Sequence, residues 1–211
     1  LQQETQLQED ATQQHVAAQQ DYAKRYRQVF AEAIANTLYP SEFERGRLEQ
    51  ARRDWQLDGE LARAIEREVT DEKYGPIDSA MGLDYSRLRQ LLWLNQWDAA
   101  DQETERLILS ALSQDMRPLE ENAILRLNCV DVQTLDTLWA RYSQGKFGFS
   151  AQHDAYVQQE RQPTAFLSAI GWKAGAGIGG LDVLLSRRKA YRDLEFNLQA
   201  PTGHLPTWRW G

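Results

Sequence analysis

Apolar positions recur with helical spacing over most of the chain. Tyr22, Tyr26, Val29, Phe30, Ala33 and Thr37 mark one face of a helix that stops near Tyr39-Pro40, because the residue before a proline is driven out of the helical region. Pro40 suits the first turn of a second helix carrying Phe43, Leu48, Ala51 and Trp55, where its missing N–H costs nothing. Asp58 is placed to cap a third, in which Leu61, Ile65 and Val69 recur at every fourth position until Gly75-Pro76 ends the run. These three predict a small core around Phe30, Trp55 and Ile65, and so an accessory three-helix domain at residues 21–76. Residues 1–20 carry Gln at about every second or third position and few large apolar groups. That composition predicts an exposed or frayed helix, an arm or linker.

The second domain, residues 78–211, is also predicted helical. Asp84 can cap a helix bearing Tyr85, Leu88, Leu91 and Leu92, and Asn95-Gln96 interrupts it before another with Trp97, Ala100, Thr104, Leu107, Ile108 and Ala111. So short a link predicts an antiparallel hairpin. Asp115 to Asn128 reads as a loop with a short helix. Val132, Leu135, Leu138, Trp139 and Tyr142 then form the apolar stripe of a central helix, which Gly145 is expected to close with a left-handed cap. If the backbone beyond is extended, Phe147 and Phe149 project to one side. Gln152 to Gln159 and Pro163 to Ile170 read as brief helices, and Asp193 to Ala200 alternates enough to be extended. The fold class is mainly α, with a small N-terminal helical domain, a helical core domain and a short extended or hairpin segment.

Composition narrows the function. The 211 residues can bury a sizeable core, and with no apolar run of about 18 residues and no secretory leader the chain reads as soluble and globular. A start at Leu1 instead of Met suggests a piece of a longer parent chain with an upstream domain. The single cysteine, Cys129, excludes an internal disulfide, fits a reducing compartment and reads as a small core residue. A net charge of −7 argues against nucleic acid as partner, since phosphate contacts need a basic surface. The charge is unevenly spread. From Arg161 onward seven Lys or Arg stand against three Asp or Glu, leaving 17 against 28 for residues 1–160. The basic surplus, densest at Arg187-Arg188-Lys189, could attract a small anion, although a solvated face is an equal reading.

Several motifs carry no chemistry on inspection. Gly175-Ala-Gly177-Ile-Gly179-Gly180 satisfies the dinucleotide pattern in letters, but no buried strand precedes it, and five glycines in residues 171–180 predict a mobile loop. The histidines His15, His153 and His204 lack metal-ligand spacing, so no protein-bound metal site is expected, and His204 reads as a turn residue bonding backbone groups. Asp98 and Asp101 fall one turn apart and read as a surface pair, with Asp101 bonding Thr104 on the helix surface. No nucleophile elbow is present, so the chain is read as a non-enzyme. Aromatic content stands out: six of seven Trp lie between residues 93 and 210. For Trp93 and Trp139 a core role is the expectation.

The run Asp136-Thr-Leu-Trp through Tyr142-Ser143-x-Gly145-x-Phe-Gly-Phe-Ser150-x-Gln152 resembles the signature of the genomes uncoupled four family, porphyrin-binding regulators of magnesium chelatase. Asp84-Tyr85 with Leu88, Leu91 and Leu92, Trp97-Asp98-Ala-Ala-Asp101-Gln-Glu103-Thr104, Ile170-Gly171-Trp172-Lys173 and Phe196-x-Leu198-x-Ala-Pro-x-Gly203-His204-Leu205-Pro206 agree with it in order. The resemblance begins near Asp78. It implies a cupped helical hand whose apolar palm takes protoporphyrin IX or Mg-protoporphyrin IX, or a linear bilin, and presents it to the large subunit of magnesium chelatase. By the same resemblance Ile124, Leu127, Phe147, Phe149, Trp172, Leu194, Phe196 and Leu198 would form the wall, Gly175 to Lys189 the lid, and Arg187 and Arg188 the partners of the propionates. The family usually continues past Gly-His-Leu-Pro, whereas this chain ends five residues later, where Arg209 is placed to replace the tail's polar contacts. The family's proline before the central helix is Asn128 here, so a pigment sensor in another pathway is also consistent. Burying roughly 300 Å² of a flat macrocycle is worth on the order of 7 kcal/mol before association costs. The alternatives are a signalling or scaffold module using the same hollow for a protein partner, and a nucleotide-dependent enzyme using the glycine loop.

Overall fold

The computed structural model describes residues 2–112, 124–173 and 188–207, without the side chains of residues 2–15 and of Ile124. The chain divides into two units, Leu1–Pro76 and Ile77–Gly211.

In the first unit the glutamine-rich arm and the first predicted helix are one element, α1 (Gln2–Ala33). It stops before Tyr39-Pro40, and Ser41 caps α2 (Glu42–Asp54) through a reciprocal box in which the Ser41 hydroxyl accepts from the Glu44 N–H and the Glu44 carboxylate accepts from the Ser41 N–H. Pro40 therefore stands ahead of the cap, not in the first turn, because a serine side chain can satisfy a free helix donor and a proline cannot. Asp58 caps α3 (Gly59–Tyr74) as the sequence predicts, accepting from the N–H groups of Glu60 and Leu61. Tyr26, Phe30, Ile34, Leu48, Leu57, Ile65 and Val69 make the core, with Trp55 at its edge, its ring 6.2 Å from that of Tyr22 and nearly parallel to it. Two expected core positions are not there. Phe43 is 76% exposed and Leu61 41%, since α2 turns Leu48 inward and α3 turns Ala62, Ile65 and Val69 inward.

In the second unit, α4 (Ser86–Trp93) and α5 (Trp97–Ala111) pack together across a link in which Asn95 takes a left-handed conformation, φ 56°. Asp84 accepts from the Ser86 N–H at the head of α4. A single 3₁₀ turn, Ile124–Arg126, precedes α6 (Cys129–Tyr142), whose N-cap Asn128 accepts from the Val130 N–H. The Asn128 side chain thus satisfies one of the free N–H groups at this helix start. Cys129 is exposed, a correction to its reading as a core residue, because the first turn of α6 buries Asp131 instead. That carboxylate accepts from the Tyr85 hydroxyl and the Ala80 N–H.

Leu135, Leu138 and Trp139 carry α6 into a core with Tyr85, Leu88, Leu92, Trp97, Leu107, Phe147 and Leu205. Trp139 is fully buried, and Trp93 only half. Gln144, φ 58°, and Gly145, φ 79°, both take left-handed conformations after α6, and the Gly145 N–H donates to the Ala140 carbonyl at 2.7 Å. The backbone then bends at Gly148 and enters α7 (Phe149–Gln158), so Phe147 and Phe149 do not share an extended segment. Next comes α8 (Pro163–Ala169), with proline in its first turn. A 3₁₀ turn, Tyr191–Asp193, opens the last described stretch. The alternation predicted for residues 193–200 ends at Asn197, whose side chain accepts from the Gln199 N–H in a turn. Among the described residues no strand forms, and Lys173 and Arg188 make an isolated antiparallel bridge.

Candidate functional site

His204 is the hub of the C-terminal half. It is fully buried; its Nδ1–H donates to the Ile170 carbonyl at 2.6 Å and its Nε2 accepts from the Glu195 N–H at 3.0 Å. These partners require the neutral ring with the proton on Nδ1. Burial holds its pKa below the ordinary histidine value, against the pull of the Ile170 carbonyl. With both nitrogens engaged, no lone pair remains for a metal ion. The His204 carbonyl accepts from the Trp172 indole N–H at 2.8 Å, and the Trp172 carbonyl accepts from the Lys189 N–H at 2.8 Å. The His204 ring thereby binds the Ile170 and Glu195 backbone, while its carbonyl holds Trp172, whose own carbonyl holds Lys189.

A second lattice ties this hub to the central helix. Asp136 on α6 accepts from the Ser150 N–H at 2.9 Å and from its hydroxyl, at the head of α7. The Gly148 N–H donates to the Leu205 carbonyl and the Gly203 N–H to the Lys146 carbonyl, both at 2.9 Å. Gln152 Nε2 donates to the Pro206 carbonyl at 2.7 Å, and Lys146 Nζ to the Leu198 carbonyl at 2.6 Å. Gly148 sits at φ 121°, ψ 169°, and a Cβ there would stand 2.6 Å from Asp136 Oδ1. Replacing Gly148 with Ala is expected to cost about 2 kcal/mol, from backbone strain and from loss of the Asp136–Ser150 contact. Urea unfolding checks this, and an unchanged midpoint would show that the bend relaxes freely.

The residues expected at the wall separate into groups. Phe147 is a correction: it is fully buried, its ring 5.5 Å from that of Trp97 and 6.3 Å from that of Trp139, so it supports the surface from behind and does not face outward. Trp172 is 9% exposed and shows little beyond an edge. Phe149 and Phe196 are half-buried and lean on the core, Leu194 is half-buried, and Leu198 is 36% exposed beside Lys146. Leu127 also leans on the core, from the connection between α5 and α6. Ile124 lies in the 3₁₀ turn. Arg188 is exposed beside Lys173. Arg187, Arg209 and the glycine-rich stretch 175–180 lie outside the described residues.

Two contributors escaped the sequence reading. Tyr191 packs its ring 5.1 Å from that of Phe196, yet it stands beside Arg192 and Asp193 in a turn with no periodicity to mark it. Asp101, expected at the surface, is 2% exposed. It accepts from the N–H and hydroxyl of Thr207, both at 2.5 Å, and from the Tyr191 hydroxyl at 3.0 Å. Burial pushes its pKa up to about 6, opposed by those donors. Thr104 is likewise buried, donating to the Ala100 carbonyl and accepting from the Trp139 indole, so it is no partner of Asp101. Among the described residues no cluster of three His, Cys, Asp or Glu could hold a metal ion, and no helix is long and apolar enough to cross a membrane.

The residues in this lattice coincide with a family pattern, because residues 78–210 match the model described as GUN4-like. The chain belongs to the GUN4-like family. A Ycf53-like protein of Synechocystis is 30% identical over 134 residues, 62% of this chain and 54% of that protein. The chloroplastic tetrapyrrole-binding protein of Arabidopsis thaliana is 28% identical over 115 residues, 51% of this chain and 42% of that protein. The chain thus spans about half the length of the curated relatives it matches. The solved structure of GUN4 from Chlamydomonas reinhardtii superposes with a TM-score of 0.52 at 27% identity, covering 64% of this chain and 86% of that one. The mainly helical architecture is therefore the GUN4 fold. Within the GUN4-like stretch, Asp136, Gly148, Ser150, Gln152, Gly203 and His204 fasten the central helix, α7 and the C-terminal segment together.

Proposed function

We propose that this chain is a non-enzymatic, tetrapyrrole-binding regulator that takes protoporphyrin IX or Mg-protoporphyrin IX, or a linear bilin, and presents it to a protein partner. Magnesium chelatase, through its large subunit, is the partner that the resemblance of the sequence favours, in an intracellular or plastid compartment. The observation that carries the reading is the half-buried pair Tyr191 and Phe196 with Leu194 on one side of the His204 hub and Trp172 with the cations Arg188 and Lys189 on another. A flat apolar macrocycle with acidic arms needs that combination, with the rings supplying contact area and the cations supplying charge-assisted bonds to carboxylates. The tetrapyrrole-binding name of the Arabidopsis relative supports it.

Titrating the chain with protoporphyrin IX and following its tryptophan emission tests the reading directly. Saturable quenching is expected, with Arg188→Ala weakening binding several-fold at low salt and less at high salt, as a surface ion pair requires. Absence of saturation with porphyrins and bilins alike would favour a module that uses the same surface for a protein. A salt-independent effect of Arg188→Ala would remove this side chain from contact with the propionates.

A further inference from the structure

The Asp101 carboxylate on α5 joins two segments far from it in sequence. From one side comes Thr207, giving both its N–H and its hydroxyl; from the other comes the Tyr191 hydroxyl, whose ring packs on Phe196. The group is nearly sealed from water. A buried carboxylate is a costly way to close a loop, since a neutral side chain would avoid the desolvation. It also ties the ring pair at the candidate site to the segment leading into the C-terminal residues. Resting on the tetrapyrrole reading, we propose that Asp101 is a positioning residue for the ligand: its ionised form fixes the Tyr191–Phe196 pair through Tyr191 and fixes Thr207, so occupancy at the rings and placement of Thr207 are coupled through one carboxylate.

Acceptor count gives the chemistry. Oδ1 accepts from the Thr207 N–H, while Oδ2 accepts from both hydroxyls. A proton on Oδ2 turns that oxygen into a donor, so one of the two hydroxyls must reverse or leave. The Tyr191 contact, at 3.0 Å against 2.5 Å for Thr207, is the one that gives way. The raised pKa puts this exchange near pH 6, close to neutrality. The other groups concerned are Glu105 on the same helix, the Tyr191 phenol, and His204, which stands three residues before Thr207 and bonds the Glu195 N–H. His204 titrates in the wild type and in any Asp101 variant, so a comparison between them isolates the carboxylate.

Asp101→Asn keeps the shape and behaves as the neutral acid at every pH. Two measurements on the whole chain separate the outcomes. In the absence of pigment, the Thr207 amide and the Phe196 ring resonances, followed by NMR from pH 7.5 to 5, are expected to shift together with a midpoint near 6 in the wild type, and Asp101→Asn is expected to lack that step and keep only the shift that His204 imposes on both proteins. With protoporphyrin IX, the wild type is expected to bind about fivefold tighter than Asp101→Asn at pH 7.5, the worth of about one hydrogen bond, and equally at pH 5. Phe196 resonances indifferent to the Asp101 titration would overturn the coupling, whether or not pigment binds. Equal affinities at pH 7.5 would reduce Asp101 to a structural tether. A wild type that binds no porphyrin would instead refute the tetrapyrrole reading and with it the ligand half of this inference, while the NMR titration still decides the coupling.

Discussion

Phe147→Ala is expected to lower the free energy of unfolding by about 3–5 kcal/mol, the range for removing a fully buried aromatic ring. The ring is wedged edge-on between Trp97 and Trp139, and the Phe147 N–H donates at 2.8 Å to the Ser143 hydroxyl, which itself donates to the Trp139 carbonyl. Truncation therefore leaves a cavity between two large rings held by α5 and α6, which cannot close on it without moving both helices. Phe147→Leu, which fills most of that space, is expected to recover more than half of the loss. Equilibrium urea unfolding of the isolated variants measures this; a loss under 1 kcal/mol for Phe147→Ala would mean that the site is loosely packed. The same series bears on function. Porphyrin affinity of the folded Phe147→Leu protein is expected to stay within about twofold of wild type, because a ring behind the surface contributes support and not contact. A tenfold loss in a variant of near-native stability would return Phe147 to the wall.

The central helix was legible because its apolar stripe is regular and its ends carry strong local signals. Leu135, Leu138 and Trp139 recur at helical spacing, and Asn128 and Gly145 bound them. Burial on one face then follows from periodicity alone. What periodicity does not reveal is which turns of a helix face other parts of the chain. Asp101 and Thr104 looked like a surface pair because α5 is polar on that side, yet Thr207 and Trp139 cover them from a distance of many residues. Phe43 failed in the opposite sense: five residues before Leu48 it stands well off the buried face of α2 and remains exposed. The candidate site suffered most, because it is assembled from short segments, Gly171-Trp172-Lys173, Arg188-Lys189 and Tyr191 to Phe196, whose pairing is set by the ring and carbonyl of His204 and the carbonyl of Trp172 and not by any repeat. Of these segments, the family resemblance supplied as a block only Gly171-Trp172-Lys173, and its last block begins at Phe196. Coordinates were needed to tell ring from support, and to find Tyr191 among its charged neighbours.

His204→Leu is expected to cost about 3 kcal/mol or more of stability, with His204→Gln recovering part of it. Leucine nearly matches the ring in bulk but leaves the Ile170 carbonyl and the Glu195 N–H without their partner, and each buried group so stranded costs about 1–3 kcal/mol. Acidity gives the sharper signature. Protonating Nε2 would turn it toward the Glu195 N–H as donor against donor, which adds to the cost of burying the charge. A histidine whose folded pKa is depressed contributes stability that is present above its unfolded value, near 6.5, and is lost as pH falls through the folded value. Asp101 acts with the opposite sign: its folded pKa, raised to about 6, makes its contribution full below the unfolded value of 3.8 and lost as pH rises through 6. Between pH 6.5 and 4 the two therefore work against each other, and wild-type stability should change less than either group alone would dictate. Denaturant unfolding at pH 7.5 and 5 resolves them. His204→Gln is expected to gain stability relative to wild type on moving to pH 5, having lost only the penalty of charging the ring, whereas Asp101→Asn is expected to lose ground over the same interval. If His204→Gln kept the wild-type slope, the imidazole would not be confined to its neutral form, and the hub that gathers Ile170, Trp172 and Glu195 would be a looser joint than its two short hydrogen bonds indicate.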